Sequence, residues 1–128
     1  MKQEYRVYME DTDMMGIVFY ANYLKFFERS RTEWLREHGY LLSELNQEGI
    51  AFAVTHVDIR YHHPARIDDV LILETDVELK GYCQLQFRQT MKRHDLKPLA
   101  DALVDVVCVN QKMSPRRLPR RLAEECLK

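Results

Sequence analysis

Two carboxylates stand in a short turn, directly before a stretch that is rich in aromatic residues. The segment DTDMMGIVFYANYLKFFERSRTEW places Asp11, Asp13 and Gly16 ahead of Tyr20 and Tyr23. Glycine lets the backbone turn tightly, because it lacks the Cβ atom that would clash. A helix start offers unpaired N–H groups and the positive end of the helix dipole. An aspartate aimed there can cap the helix, or it can act on a carbonyl whose developing oxyanion the N–H groups stabilise.

The residues after this turn predict an amphipathic helix over about residues 20–38, because apolar side chains recur at helical spacing. We expect Asn22 to cap its start and Gly39 to end it in a left-handed conformation. Phe26 lies outside the main stripe, so the helix should be apolar over more than one face, as in a helix wrapped by a curved sheet. The stripe consists of Tyr20, Tyr23, Leu24, Phe27, Trp34 and Leu35.

The rest of the chain predicts a second short helix at 41–49 and a set of strands whose apolar and polar residues alternate. The predicted strands lie at 5–9, 57–61, 71–79, 83–91 and 102–109. The last run is more continuously apolar, which is typical of a central strand. Gly81 and Tyr82 separate two long runs and predict a hairpin connection. A strand, a helix and then consecutive strands indicate the α+β class, with a helix packed on an antiparallel sheet.

Composition sets broad limits on function. The 128 residues suggest one domain, 1–128, and the net charge of −1 argues against bulk nucleic-acid binding. No apolar run has the length of a membrane span, and the N-terminus lacks the apolar region of a signal peptide. Three widely spaced cysteines without a CxxC motif favour a reducing, cytoplasmic location. We expect Cys83 and Cys108 to be buried, inert thiols.

The order of residues around the turn resembles that of hotdog-fold acyl-CoA thioesterases of the 4-hydroxybenzoyl-CoA thioesterase family. YMEDTDMMGIVFYANYLKFFERSRTE is similar to the pattern YxEDTDxxGxVYxxxYxxFxERxRTE of the YbgC branch, which is encoded with the bacterial Tol-Pal system. HHPARIDDVL and KMSPRRLP extend the resemblance over nearly the whole chain. It implies a hotdog fold, hydrolysis of acyl-CoA without a cofactor, and active sites at a dimer interface, in a homodimer or homotetramer. Many members of this branch have His where Tyr20 stands, whereas the 4-hydroxybenzoyl-CoA enzyme resembles this chain, so the acyl preference stays open.

The resemblance also assigns roles. It implies that Asp13 is the catalytic carboxylate and that the backbone N–H of Tyr20 is the oxyanion donor. Glu28 is the rival carboxylate, because another hotdog branch carries a catalytic glutamate on the central helix; its alternative role is a pair with Arg31. A carboxylate and one backbone donor are sufficient for a thioester. Its leaving thiol has a pKa of roughly 8.5, so the thiolate leaves without protonation by a strong acid.

Further residues are candidates for substrate binding. The predicted binding residues are Tyr61, His62, Pro64, Lys80, Arg116 and Arg117. By resemblance, the first three line the acyl pocket, whereas the lysine and the arginines are suited to the phosphates of coenzyme A. We expect no metal, because adjacent histidines such as His62 and His63 point to opposite faces of a strand.

Two other functions remain open at this stage. A non-catalytic module that binds acyl-CoA or acyl carrier protein would need the same pocket. A hotdog dehydratase is less consistent, because its catalytic His near the helix start has no counterpart. The chain has no GxSxG nucleophile elbow, which argues against an α/β-hydrolase, and no glycine-rich loop for a nucleotide.

Overall fold

Five strands pair into one antiparallel sheet, in the order β1-β3-β4-β5-β2. The structure is a computed structural model and describes residues 1–127. The strands are β1 Lys2–Arg6, β2 Ala51–Tyr61, β3 Val70–Leu79, β4 Gln84–Arg93 and β5 Pro98–Val109. The helices are α1 Tyr23–Glu37, α2 Leu42–Gln47 and α3 Arg120–Cys126. The prediction of an α+β protein with an antiparallel sheet is confirmed, and β5 is an interior strand, as its apolar sequence indicated.

Helix α1 lies against one face of the sheet and supplies much of the core. Phe26 and Phe27 are 1% and 0% exposed, so two faces of the helix are buried, as the sequence predicted. The ring of Trp34 packs edge-on against Phe87 of β4, with centroids 6.0 Å apart. Burying one such side chain contributes about 1.5–3 kcal/mol. A long helix wrapped by a curved antiparallel sheet is the hotdog arrangement. Leu24 departs from the predicted stripe, because it remains 41% exposed.

The start of α1 differs from the prediction. A 3-10 turn, Tyr20–Asn22, precedes the α-helix, which begins at Tyr23. Asn22 makes no capping hydrogen bond; its side-chain amide donates instead to the carbonyl of Asp11 at 3.0 Å. A partner eleven residues earlier therefore replaces the expected cap, and it ties the helix start to the aspartate turn.

The end of α1 agrees with the prediction. Gly39 has a φ of +88°, in the left-handed region. Its N–H donates to the carbonyl of Arg36 at 3.0 Å, and the N–H of Tyr40 donates to that of Leu35 at 2.9 Å. This pair of bonds is a Schellman motif, which satisfies carbonyls that the helix itself leaves free.

Several strand boundaries differ from the sequence prediction, and β5 begins at Pro98, four residues before its predicted start. Strand β1 ends at Arg6, and Met9 lies in a short 3-10 turn because the carboxylate of Asp11 draws the chain away from the sheet. Strand β2 begins at Ala51, six residues before the predicted start. Its pairing with β5 shifts between Val54 and His56, so the alternation that marks a strand is broken there. The predicted hairpin between β3 and β4 is confirmed.

The cysteines are free thiols. Cys108 is fully buried, whereas Cys83 is half-buried and lies just before β4. Burial raises the pKa of the Cys108 thiol, and it raises that of Cys126 to about 11. These two thiols therefore favour the protonated form at neutral pH. The prediction of a buried thiol is confirmed for Cys108, whereas Cys83 is only half-buried.

Helix α3 was not predicted, because the tail appears in the sequence mainly as a basic segment. Leu118 and Leu122 are buried and attach the tail to the core, and the N–H of Leu118 donates to the carbonyl of Tyr82 at 2.8 Å. None of the helices within residues 1–127 combines the length and apolar character that a membrane span requires.

A buried polar network joins α1 to strands β3 and β4. The amide of Gln89 donates to the carbonyl of Phe27 at 2.9 Å and to the hydroxyl of Thr75 at 3.1 Å. The hydroxyls of Thr75 and Ser30 lie 2.8 Å apart, and Arg31 donates to the Gln89 carbonyl oxygen at 3.1 Å. Because an unpaired buried polar group costs about 1–3 kcal/mol, this network favours one position of the helix on the sheet.

Strand β2 forms one edge of the sheet within the described chain. Its outer edge has no neighbour in the strand order, so a row of N–H and C=O groups is free to pair. Val54 and Val57 on this strand are 50% and 36% exposed. A long, partly apolar edge of this kind favours pairing with another strand.

Candidate active site

The turn that carries Asp13 is fixed by its own hydrogen bonds. The N–H of Met15 donates to Asp13 Oδ1 at 2.8 Å, and the N–H of Gly16 donates to the Asp13 carbonyl at 3.1 Å. Gly16 has a φ of +76°, which only glycine adopts without strain. Within residues 1–127 no hydrogen bond engages Asp13 Oδ2. The carboxylate is therefore held at one oxygen and open at the other, on an exposed side chain.

Asp11, two residues earlier, has a different task. It is only 8% exposed, and its Oδ2 accepts the N–H of Tyr8 at 2.9 Å. Its main-chain carbonyl accepts the N–H of Phe19 at 3.1 Å and the side-chain amide of Asn22 at 3.0 Å. Asp11 thus joins the aspartate turn to the first turn of the helix, which is a structural role.

Two backbone donors are open at the helix start. Across the described chain, neither the N–H of Tyr20 nor that of Ala21 has an acceptor among the main-chain or side-chain groups. The positive end of the helix dipole lies at the same place, so an anion is stabilised there. The side chain of Tyr20 is 66% exposed, and its carbonyl accepts the hydroxyl of Tyr61 at 2.8 Å.

A cleft of about 400 Å³ lies between the aspartate turn, the helix start and the end of β2. We call it the Asp13 cleft. Its lining residues are Asp13, Ile17, Val18, Phe19, Tyr20, Tyr23, Tyr61, His62, His63 and Pro64. The fold thus brings together five of the residues that the sequence singled out for the site. The cleft also contains Phe19, which the sequence did not single out, and Tyr23, which it assigned only to the apolar stripe of the helix.

Aromatic side chains form the inner wall of this cleft. Tyr23 is 4% exposed, and its hydroxyl accepts the N–H of Ala65 at 3.0 Å. The ring of Tyr61 meets that of Tyr23 edge-on, with centroids 5.0 Å apart. Burial raises the pKa of both phenols, so both hydroxyls are protonated at neutral pH.

The two adjacent histidines have separate partners. His62 Nε2 lies 2.9 Å from Asp101 Oδ2, and His63 Nδ1 lies 3.0 Å from the carbonyl of Pro98. Both bonds hold the segment after β2 against β5. Within the described residues, no group of three or more His, Cys, Asp or Glu side chains is placed to hold a metal ion.

Glu28 lies in a second cavity, of about 450 Å³, between α1, α2 and the sheet. We call it the Glu28 cavity. Its walls are mainly aliphatic and aromatic side chains, including Phe52 and Phe87. The charged side chain of Arg31 also lines it. Glu28 Oε1 accepts the hydroxyl of Thr32 at 2.9 Å. Within the described residues, Glu28 and Arg31 do not form the ion pair that was the alternative role for Glu28. The Arg31 guanidinium donates instead to Gln89, in the buried network.

The predicted phosphate ligands lie elsewhere. Lys80 and Arg117 both lie at the β3–β4 hairpin. Lys80 forms an ion pair with Glu78 at 3.3 Å, and the Arg117 guanidinium lies 5.8 Å from the ring centre of Tyr82. Arg116 is fixed by its N–H, which donates to the carbonyl of Cys108 near the end of β5 at 2.9 Å.

This location is at the opposite end of the sheet from the Asp13 cleft. The cleft lies where β2 ends and β5 begins, since Tyr61 pairs with Ala100. One chain by itself therefore does not bring the tail arginines to Asp13.

Comparisons with known proteins agree with this geometry. The sequence profile of the thioesterase-like superfamily matches residues 7–125. The chain is 41% identical over 121 residues to the acyl-CoA thioester hydrolase YbgC of Escherichia coli O6:H1, covering 94% of this chain and 90% of that protein. It is 43% identical over 120 residues to the acyl-CoA thioesterase YbgC of Haemophilus influenzae, covering 91% and 87%. The crystal structure of a probable thioesterase from Bartonella henselae superposes with a TM-score of 0.88, at 35% identity, covering 93% of this chain and 98% of that one.

Proposed function

The chain belongs to the thioesterase-like superfamily, and from this membership we propose that it hydrolyses acyl-CoA to a carboxylic acid and free coenzyme A. One observation carries the proposal. A carboxylate with a free oxygen, on Asp13, shares a cleft with the open backbone N–H of Tyr20 at a helix start. That combination supplies both an attacking group and a site for negative charge.

Each part has a defined task in the reaction. Asp13 attacks the thioester carbonyl or takes a proton from the water that does, and the carbonyl oxygen gains negative charge. The N–H of Tyr20 donates to that oxygen as the tetrahedral intermediate forms. The C–S bond then breaks, and coenzyme A leaves as a thiolate. If Asp13 acts as the base, the attacking water has become the hydroxyl of the acid product, and the proton held by Asp13 passes to the thiolate. If Asp13 attacks directly, water then cleaves the anhydride between Asp13 and the acyl group, which releases the carboxylic acid, and the remaining proton of that water neutralises the thiolate. Because only the backbone of Tyr20 takes part, Tyr and His can both occupy this position.

The acyl group lies in the Asp13 cleft in this proposal. Tyr61, His62 and Pro64 line it at the end of β2, and the aromatic rings of Tyr23 and Phe19 line it at the start of the helix. The cleft volume of about 400 Å³ is typical of a small-molecule site. Its mixed aromatic and polar lining suits aliphatic and aromatic acyl groups alike.

A homodimer would complete the site. If the β2 edges of two copies pair antiparallel, the end of one β2, at Tyr61, lies beside the beginning of the other, at Ala51. The tail arginines lie at that second end of the sheet, so Arg116, Arg117 and Lys80 of one copy would approach the Asp13 cleft of its partner. The free edge of β2 and its exposed valines support this arrangement. Two such dimers would pack into a homotetramer.

The proposed substrate carrier is coenzyme A, with acyl carrier protein as a second candidate, since both present a thioester on a phosphopantetheine arm. A location in the cytoplasm, where acyl-CoA is made and used, agrees with the free thiols.

A thiol-release assay tests the proposal. The purified protein is given a panel of acyl-CoA chain lengths, 4-hydroxybenzoyl-CoA and an acyl carrier protein thioester, and free thiol is measured over time. We expect enzyme-dependent release from at least one acyl-CoA. Tight binding without release would instead identify an acyl-binding module.

A further inference from the structure

The hydroxyl of Tyr61 makes a contact that a pocket wall does not need. Tyr61 is the last residue of β2, and its hydroxyl donates to the carbonyl of Tyr20 at 2.8 Å. We propose that this hydroxyl is a positioning group for the reaction, which holds the first turn of α1 so that the N–H of Tyr20 faces the thioester oxygen. The inference rests on the proposed function and adds a residue to its mechanism.

The other restraints on this turn act on the neighbours of Tyr20. Phe19 and Asn22 are bonded to the carbonyl of Asp11, and the N–H of Val18 donates to the carbonyl of Ala65 at 2.8 Å. The side chain of Tyr20 is 66% exposed and packs on the ring of Phe19, with centroids 4.8 Å apart, so burial does not fix it. Within the described residues, Tyr61 supplies the side-chain hydrogen bond that Tyr20 receives. An oxyanion donor must lie within a few tenths of an ångström of its best position, and this bond provides that precision.

The same bond also strengthens a neighbouring donor. The carbonyl of Tyr20 and the N–H of Ala21 belong to one peptide unit, and the N–H of Ala21 is open in the described chain. A hydrogen bond to a carbonyl polarises its peptide, so the N–H at the other side becomes a better donor. Tyr61 therefore acts on both open N–H groups of the helix start.

The state of the hydroxyl fits this role. Burial raises the pKa of Tyr61, and the neighbouring phenols of Tyr23 and Tyr20 raise it further. The hydroxyl therefore stays protonated at neutral pH and can donate. The other titratable groups that line the same cleft are Asp13, His62 and His63.

The ring and the hydroxyl of Tyr61 can be tested separately. The ring packs on Tyr23, so it serves as the wall, whereas only the hydroxyl reaches Tyr20. Tyr61→Phe keeps the ring and removes the hydroxyl. We expect kcat to fall by about tenfold with KM within twofold of wild type, because an interaction specific to the transition state is weakened. Tyr61→Leu removes both parts, and we expect the same fall in kcat together with a higher KM.

Thermal unfolding of each variant and a matched control complete the design. Tyr40→Phe removes a hydroxyl from a half-buried tyrosine outside the Asp13 cleft, and it should leave kcat unchanged. All rates are measured well below the melting temperature, so a modest loss of stability does not affect them. Wild-type kcat in Tyr61→Phe, or a change in KM alone, would overturn the inference. The proposed function fails separately, if the wild-type protein itself releases no thiol from any acyl-CoA.

Discussion

The two carboxylates beside helix α1 lie in cavities of similar volume, about 400 Å³ for Asp13 and 450 Å³ for Glu28. They differ in what surrounds them. Asp13 lies at the start of the helix, where the backbone N–H groups of Tyr20 and Ala21 are open. Glu28 lies within the helix, where each N–H is used by a carbonyl one turn earlier. Along α1, the N–H groups beside Glu28 are therefore not available to the oxyanion of a thioester, whereas those of Tyr20 and Ala21 are.

The hydrogen bonds of the Asp13 and Glu28 carboxylates also differ. Asp13 keeps one carboxylate oxygen free, whereas Glu28 is bonded to Thr32 and lies beside Arg31, which joins the network at Gln89. The Arg31 side chain beside Glu28 thus helps to hold α1 on the sheet. The comparison shows that two cavities of similar volume can give their carboxylates different partners, and in the proposed mechanism this difference favours Asp13.

The largest expected effect is at Asp13. Asp13→Asn keeps the size of the side chain but removes the nucleophile or base, so kcat should fall by about 10²–10⁴-fold. Thiol release measures the effect, and circular dichroism checks that the fold persists. If the variant kept most of its kcat, the comparison would reverse, and Glu28 would become the leading carboxylate.

The next effect concerns stability near Glu28. Gln89→Leu leaves the hydroxyl of Thr75, the guanidinium of Arg31 and the extra bond at the Phe27 carbonyl without their partner. We expect the free energy of unfolding to fall by about 2–3 kcal/mol, as for loss of a buried hydrogen-bond network. Urea unfolding measures it, with Gln86→Leu as a control in the same strand. A change below about 0.5 kcal/mol would show that the network is not structural.

Glu28→Gln should have a smaller effect on turnover. The amide oxygen can still accept the hydroxyl of Thr32, so the helix surface is kept while the charge is lost. We expect kcat to change by less than tenfold, in contrast to Asp13→Asn. A loss equal to that of Asp13→Asn would mean that both carboxylates act in one site.

The smallest effect is expected on substrate binding by the tail. Arg116→Gln combined with Arg117→Gln should raise KM for acyl-CoA several-fold with little change in kcat, because uniform binding is removed. The wild-type KM should also rise with ionic strength, since exposed charges are screened by salt.

Arg60→Gln combined with Arg88→Gln is the control, because it removes the same charge from exposed positions in the sheet. An unchanged KM and salt response in the tail variant would exclude the tail from coenzyme A binding and leave Lys80 as the next residue to test. A specific rise in KM would indicate that the tail of one copy reaches the coenzyme A bound at the Asp13 cleft of its partner.

The features that the sequence predicted correctly depend on neighbouring residues. Gly39 ends α1 because glycine adopts the left-handed conformation that this position requires, and β5 is an interior strand, as its more continuously apolar sequence indicated. The DTD turn was located because the chain itself folds it, through Met15, Gly16 and Asp13.

The features that it missed depend on distant partners. Asn22 bonds to Asp11 instead of capping the helix, and Arg31 bonds to Gln89 on β4 instead of Glu28. The beginning of β2 was missed because the register shift beside Val54 removes the alternation. The contact of Tyr61 with Tyr20 joins residues 41 positions apart, and no local pattern encodes it.

The strand order also has a consequence for how the protein is made. β1 pairs with β3, and β2 pairs with β5, which leaves the ribosome after the other four strands of this sheet. Until β5 emerges, β2 has no neighbour within its own chain and α1 has only part of the sheet to cover. Such long-range pairing slows folding, because distant segments must meet before they gain stability. The nascent chain therefore exposes the apolar residues of β2 until β5 has emerged, and it is during this interval that a chaperone would bind it.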